Sequence, residues 1–254
     1  MFCVALASLL LELNLNRVFD VLWYPNMAYM IITLAVFSFG LAGVYLSIRP
    51  MRNVAEFWTN LATLTILMAA CVLTMQWSID RLPFEYNQLV GNEAGKATAN
   101  FFLIYFVVCE PFFLAGLVLS VVFSHFPSQI RALYFWDLTG AALGSVILIP
   151  LLPKIGTTGS LYVVAALALV SSLCFYAGKN RLVLLTYTIA ICSVMVSPFT
   201  RDRIDTFEPH MGKRGLKTNI DEISEGAWWD PISKIDVLDA EAIGQNRKWI
   251  AYDG

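Results

Sequence analysis

Charge is scarce along this chain, and that scarcity sets its class before any motif is read. Only 14% of the 254 residues are Asp, Glu, Lys or Arg, against 58% hydrophobic ones. The mean hydropathy is +0.65. A water-soluble domain cannot hide so much apolar surface, so the chain reads as a polytopic membrane protein with the lipid bilayer as its first partner. The formal net charge of −2 is too small and too scattered to suggest a nucleic-acid partner or an acidic substrate. Histidine is nearly absent. His125 and His210 are the two present, and neither stands near Cys, Asp or Glu at ligand spacing, so no metal site is expected. No Cys-x-x-Cys pair occurs. Cys3, Cys71, Cys109, Cys174 and Cys192 all lie in apolar runs, as small core residues do. A glycine-rich phosphate loop following a strand is also missing, so no cofactor is expected in this chain. The first apolar run lacks both a basic leader and a small-residue cleavage site, and is expected to be a span rather than a signal peptide.

What remains is a succession of apolar segments. Seven transmembrane helices are expected, near residues 1–22, 27–48, 57–77, 100–123, 130–152, 160–177 and 181–199. The fold class is therefore an all-α polytopic membrane bundle, residues 1–199. A soluble tail, residues 200–254, contains β-structure: Asp230–Asp239 alternates like an edge strand, and Arg247–Gly254 reads as a second strand running into a turn. Two strands are marginal alone, so more sheet is expected. The longest polar connection between spans is expected at 78–99. Spans six and seven carry no interior charge and read as lipid-facing or packing helices. Arg49, Arg52, Arg131, Lys179 and Arg181 favour a cytoplasmic side for the connections after spans two, four and six. Arg201, Arg203, Lys213 and Arg214 pull the other way, so the topology of the tail stays open.

The stretch Tyr134–Val146 holds a carboxylate and two glycines within a helix oily enough to cross a bilayer. Gly140 and Gly144 share a face at i, i+4, and Asp137 falls on that face. Gly40 and Gly43 offer a second small-residue contact in span two. Pro111 should kink span four beside Glu110, and Pro150 and Pro153 should close span five. Span one carries Glu12, Asn16 and Asp20 along one face, with Arg17 about 140° round from Glu12. A carboxylate at bilayer depth costs at least ~2.5 kcal/mol and should turn inward toward a donor. Glu12, Arg17, Glu110 and Asp137 are thus the candidate buried polar cluster. It is read either as an ion or proton path or as a structural lock pairing Arg17 with one acid.

Several motifs together carry a resemblance. They are Leu11-Glu12 with Arg17-Val-Phe, Pro111-Phe-Phe-Leu-Ala-Gly116, Tyr134-x-x-Asp137-Leu-x-Gly140-Ala-x-x-Gly144, Trp229-x-Pro-Ile-Ser-Lys-Ile-Asp-Val237 and Ile250-x-x-Asp-Gly254. Their order and spacing, over nearly the whole chain, resemble the membrane-embedded spermidine synthase-like proteins, in which a transporter-like bundle is fused to an aminopropyltransferase-type domain. The resemblance implies a bundle in the bacterial inner membrane, a soluble module beginning near Trp229, and a polyamine-type small molecule as ligand. The glycine-rich loop and the acidic residues of that enzyme do not occur within this sequence, so no catalytic residue carries over; the expectation is either a longer protein of which this is the membrane part, or a short relative that kept the bundle and lost the enzyme. Two other readings are kept: a non-catalytic subunit of a larger membrane complex or homo-oligomer, and a transporter using the polar path and the Pro111 break.

Overall fold

A computed structural model describes residues 1–22, 25–51, 57–81, 94–176, 178, 181–200, 224–230, 233–239 and 248–252. Most of the 78–99 connection, Arg52, Lys179, the basic run at 201–214, His210, and Asp253 with Gly254 lie outside the described residues. The helices are α1 (Phe2–Leu22), α2 (Pro25–Ile48), α3 (Phe57–Arg81), α4 (Ala94–His125), α5 (Ile130–Phe175) and α6 (Arg181–Thr200). The strands are β1 (Ser224–Trp229), β2 (Lys234–Asp239) and β3 (Lys248–Tyr252). Among the described residues five helices, α1 to α5, are long and apolar enough to cross a membrane, while α6 contributes a shorter apolar stretch, Val183–Val196. These are the features of an integral membrane protein, in which helices satisfy their own backbone polar groups.

The expected spans five and six form one element of 46 residues, α5, interrupted at Gly156 (φ 65°, ψ −175°). The chain reverses there. Gly140 meets the Phe2 carbonyl, and Ser171 lies beside Cys3, so both reach the first turn of α1. On a straight helix those two positions would stand ~46 Å apart. Gly140 and Ser171 also lie almost symmetrically about Gly156, as the two arms of a hairpin require. The helix passes through Pro150 and Pro153, where the sequence suggests an end. A transmembrane helix tolerates proline when neighbouring groups take over the freed carbonyls, whereas this φ/ψ pair is open essentially to glycine alone. The α4 helix likewise continues through Pro111.

The most enclosed helix is α1, with thirteen of its twenty-one residues buried, including Leu10, Leu11, Leu15, Val18 and Phe19. Its main neighbour is α5, with α2 and α4 completing the enclosure. The second arm of α5 also lines the core rather than the lipid, burying Thr157, Thr158, Ser160, Ala165, Ala168, Ser171 and Ser172. Small side chains let three helices approach it closely. Ser172 Oγ donates to the Ala62 carbonyl of α3 at 2.8 Å and lies 2.8 Å from the Tyr187 hydroxyl of α6. By contrast, α6 is an outer helix, with Leu185, Ile189 and Val196 more than half exposed. At one end of the bundle, His125 stacks on Phe57 with ring centroids 3.9 Å apart, and Trp58 lies near Phe175. The start of α3 and the ends of α4 and α5 therefore share that end.

Among its described residues the tail holds three strands where two were expected. They form an antiparallel meander in the order β1-β2-β3, with Trp229 opposite Lys234 and Val237 opposite Ile250. The added strand, β1, reads Ser-Glu-Gly-Ala-Trp-Trp and has no clean alternation, which hides it from pattern reading. Trp229 reaches into the helical core and β1 contacts α5, which seats the sheet on the bundle.

Candidate functional site

The seam between α1 and the first arm of α5 is the tightest helix contact in the molecule that involves a predicted residue. A Cβ on Gly140 would collide with the backbone carbonyl of Phe2, and one on Gly144 would stand 2.7 Å from the Leu6 carbonyl. Both obstacles are backbone, so no rotamer change relieves them. Gly40 and Gly43 behave differently, since a Cβ on either meets nothing within 4 Å. The close contact between α2 and α4 is made instead at Gly116, whose Cβ would stand 2.8 Å from the Phe39 ring and 3.0 Å from Ala42. A glycine pair signals that a backbone can be approached, not that a partner comes. This corrects the packing role expected of Gly40 and Gly43.

The members of the expected polar cluster have different surroundings. Asp137 is half-buried beside the first turn of α1, within the field of the Met1 amino group, and Phe2 packs edge-on against the neighbouring Trp136 at 6.0 Å. Arg17 lies fifteen residues beyond Phe2, ~22 Å along the α1 axis. That is beyond side-chain reach, so Asp137 and Arg17 do not meet. Glu12 is half-buried and stands closer to the level of Arg17 than to that of Phe2. Arg17 and Asp20, one turn apart on α1, are both half-buried and both have interaction partners. Glu110 belongs to another interface, where it lies beside Cys71 of α3.

The residue that joins the two busiest helices is Asn14, which no spacing pattern in the sequence singles out. Its side chain is fully buried, and Nδ2 donates to the Thr157 carbonyl at 3.0 Å, one residue past the reversal at Gly156. The Oδ1 atom meets no donor among the described residues. Interhelical hydrogen bonds in membrane proteins average ~0.6 kcal/mol and reach ~1.7. Asn14→Leu is accordingly expected to destabilise the folded protein by about 1 kcal/mol, because the lost bond is partly offset by removing the unpaired oxygen. Thermal unfolding in detergent micelles checks this value.

Metal chemistry finds no support among the described residues, where no group of three His, Cys, Asp or Glu side chains is placed to hold an ion. The small sheet offers a different kind of surface. Trp229, Lys234 and Asp236 line one face and are buried, with Lys234 Nζ 5.8 Å from the Trp229 ring and 4.0 Å from the Asp236 carboxylate. Trp228 and Ile235 stand opposite one another on the other face, as do Gly226 and Val237 with Ile250. On that outer face Trp228 is 59% and Ile250 60% exposed. The usual division is inverted, with the ion pair turned inward and large apolar side chains turned out. Comparison of the chain with protein-family models, with curated proteins and with solved structures finds no match.

Proposed function

We propose that this chain is the membrane part of a spermidine synthase-like protein, a seven-pass bundle that holds an aminopropyltransferase-like domain against its terminal sheet. In this reading the two arms of α5 cross separately and α6 crosses with them, beside the four helices α1 to α4. The observation that carries the reading is the outward apolar face of Trp228, Ile235, Val237 and Ile250. An exposed sheet face of this composition serves as an interface rather than as a solvated surface. The motif resemblance in the first, fourth and fifth spans supports the identity of the domain that would cover it. In this role the bundle contributes no catalytic group; it anchors the enzyme at the bilayer and brings a polyamine-type substrate or product to the membrane surface.

The test uses the full-length protein in its native membranes. Intact mass well above the 28.4 kDa of this sequence, with aminopropyl transfer from decarboxylated S-adenosylmethionine to a diamine in those membranes, is the expected result. Trp228→Asp together with Ile250→Asp is then expected to lower the transfer rate at least tenfold, because two charges enter the apolar interface. A protein of 28.4 kDa that carries no transfer activity and co-purifies with fixed membrane partners would replace this reading with that of a non-catalytic subunit. The same sheet face would then be the subunit contact.

A further inference from the structure

Where α2 and α4 end, their last turns leave a cleft of about 570 Å³, with Gly43, Ser47 and Pro50 on one side and Ser120, Ser124 and His125 on the other. That size is within the range of small-molecule sites. At 24 and 32 residues the two helices are ~36 and ~48 Å long, more than the ~30 Å hydrocarbon core, so their ends reach the headgroups. The wall mixes polar with apolar surface, and its polar part can belong only to three hydroxyls, one imidazole and the backbone, because the lining residues carry no other polar atoms. Most of these groups can only accept. Ser47 Oγ donates to the Val44 carbonyl at 2.7 Å and Ser124 Oγ to the Val121 carbonyl at 2.9 Å, which uses the one proton of each hydroxyl and leaves its lone pairs. Leu46, also on the wall, stands four residues before Pro50, which has no amide hydrogen, so the Leu46 carbonyl lacks its helical donor. Ser120 and His125 are half-buried and make no side-chain hydrogen bond among the described residues, and their polar atoms are not sealed from solvent.

Surplus lone pairs at the negative ends of two helix dipoles favour a ligand that brings several donors and a positive charge. The lining holds no carboxylate to neutralise that charge, so the ligand should carry its own anion close by. Arg49 stands between the lining residues Ser47 and Pro50, is exposed, and makes no ion pair among the described residues. A guanidinium at the rim of an acceptor-rich hollow matches a zwitterion, with phosphate on the guanidinium and ammonium in the hollow. We propose that this cleft binds the headgroup of a phosphatidylethanolamine-type lipid, whose primary ammonium donates to Ser47, Ser124 and the Leu46 carbonyl while its phosphate meets Arg49. Met51 and Val121 supply the apolar part of the wall, against which the headgroup methylenes lie. A trimethylated headgroup has no N–H to give, and a glycerol headgroup has no cation, so both bind less well. This site is separate from the sheet face and does not depend on the identity of the soluble domain.

The experiment uses the full chain reconstituted in phosphatidylcholine vesicles with a trace of phosphatidylethanolamine bearing a diazirine beside the carboxyl end of one acyl chain. Photolysis is expected to label peptides containing Gly43 to Met51 or Ser120 to His125. Unmodified phosphatidylethanolamine should compete the label away at about one-tenth the mole fraction that phosphatidylglycerol requires. Gly43→Leu fills the cleft from a position where a Cβ meets nothing within 4 Å. It should lower the competable label about tenfold without lowering the melting temperature in detergent. Arg49→Gln should lower the label several-fold by removing the phosphate contact. Should Gly43→Leu fail to fold, Ser120→Ala combined with Ser124→Ala decides the matter by the same loss of label. Equal competition by phosphatidylglycerol, label that phosphatidylethanolamine cannot compete, or full labelling of the Gly43→Leu protein overturns the assignment.

Discussion

Alanine at Gly144 is expected to destabilise the protein by about 3 kcal/mol, and alanine at Gly43 to leave it unchanged or slightly more stable. The contrast follows from where each Cβ would go. At Gly144 it stands 2.7 Å from the Leu6 carbonyl and 3.3 Å from the Leu10 amide, both on the backbone of the most enclosed helix. To admit it, α1 must move away from α5, and the packing of Leu6 and Leu10 moves with it. Overpacking of this kind costs about 1–3 kcal/mol per site, and here no flexible side chain can yield. Gly140→Ala falls in the same class, because the Phe2 carbonyl occupies the space. The two sites share one seam, so the double variant should cost less than the sum. At Gly40 and Gly43 the Cβ enters open space, and replacing a mid-helix glycine recovers up to ~1 kcal/mol of helix propensity. Thermal unfolding of the four single variants in one detergent measures all these effects. Equal losses at all four positions would mean that the α1–α5 seam is not the central contact.

Gly156→Ala is expected to cost about 1–3 kcal/mol through backbone strain alone, because φ 65° with ψ −175° excludes a Cβ. The consequence reaches further than the turn. Both arms of α5 pack on α1, and Asn14 is tied to Thr157 immediately after the reversal. A turn that cannot close leaves the second arm, with its buried Thr158, Ser160 and Ser172, without its place in the core. The native thiols can probe the reversal, since Cys3 and Cys174 lie near one another across the hairpin although they stand far apart in the sequence. A short bis-maleimide should join them in the unmodified protein and do so several-fold less in Gly156→Ala. Unchanged cross-linking together with unchanged melting would show that the turn does not need glycine.

The fifth helix illustrates how far residue patterns carry. Glycines at i, i+4 in an apolar run mark a backbone that can be approached, and Gly140 with Gly144 is such a place. The same rule applied to Gly40 and Gly43 misleads, because on α2 the neighbour arrives one face away, where Gly116 of α4 receives Phe39 and Ala42. Proline is ambiguous for a similar reason. Pro150 and Pro153 are stop signals in an isolated helix, yet α5 continues through both and breaks at Gly156. Polar residues are the least legible. Glu12, Arg17, Glu110 and Asp137 are alike in being costly in lipid, but cost says only that each needs company. Asp137 finds it at the first turn of α1, and Glu110 finds it at Cys71 of α3. Asn14, the polar side chain that joins α1 to α5, carries no charge and stood out least.

By itself the amino-acid order determined the solvent this protein folds in, the positions of its apolar helices, the onset of a polar β-containing tail and the two glycines that let α1 lie against α5. Those are local properties, set by hydropathy over one helix length and by the absence of a side chain at one position. Tertiary structure alone decided which helix faces which, that the second arm of α5 is core rather than lipid-facing, and that the sheet presents its apolar side outward. The physical reason is that in lipid all apolar faces are equally content. Which of them is buried is decided by close backbone approach and by a few interhelical hydrogen bonds, and these join residues as far apart in sequence as Asn14 and Thr157.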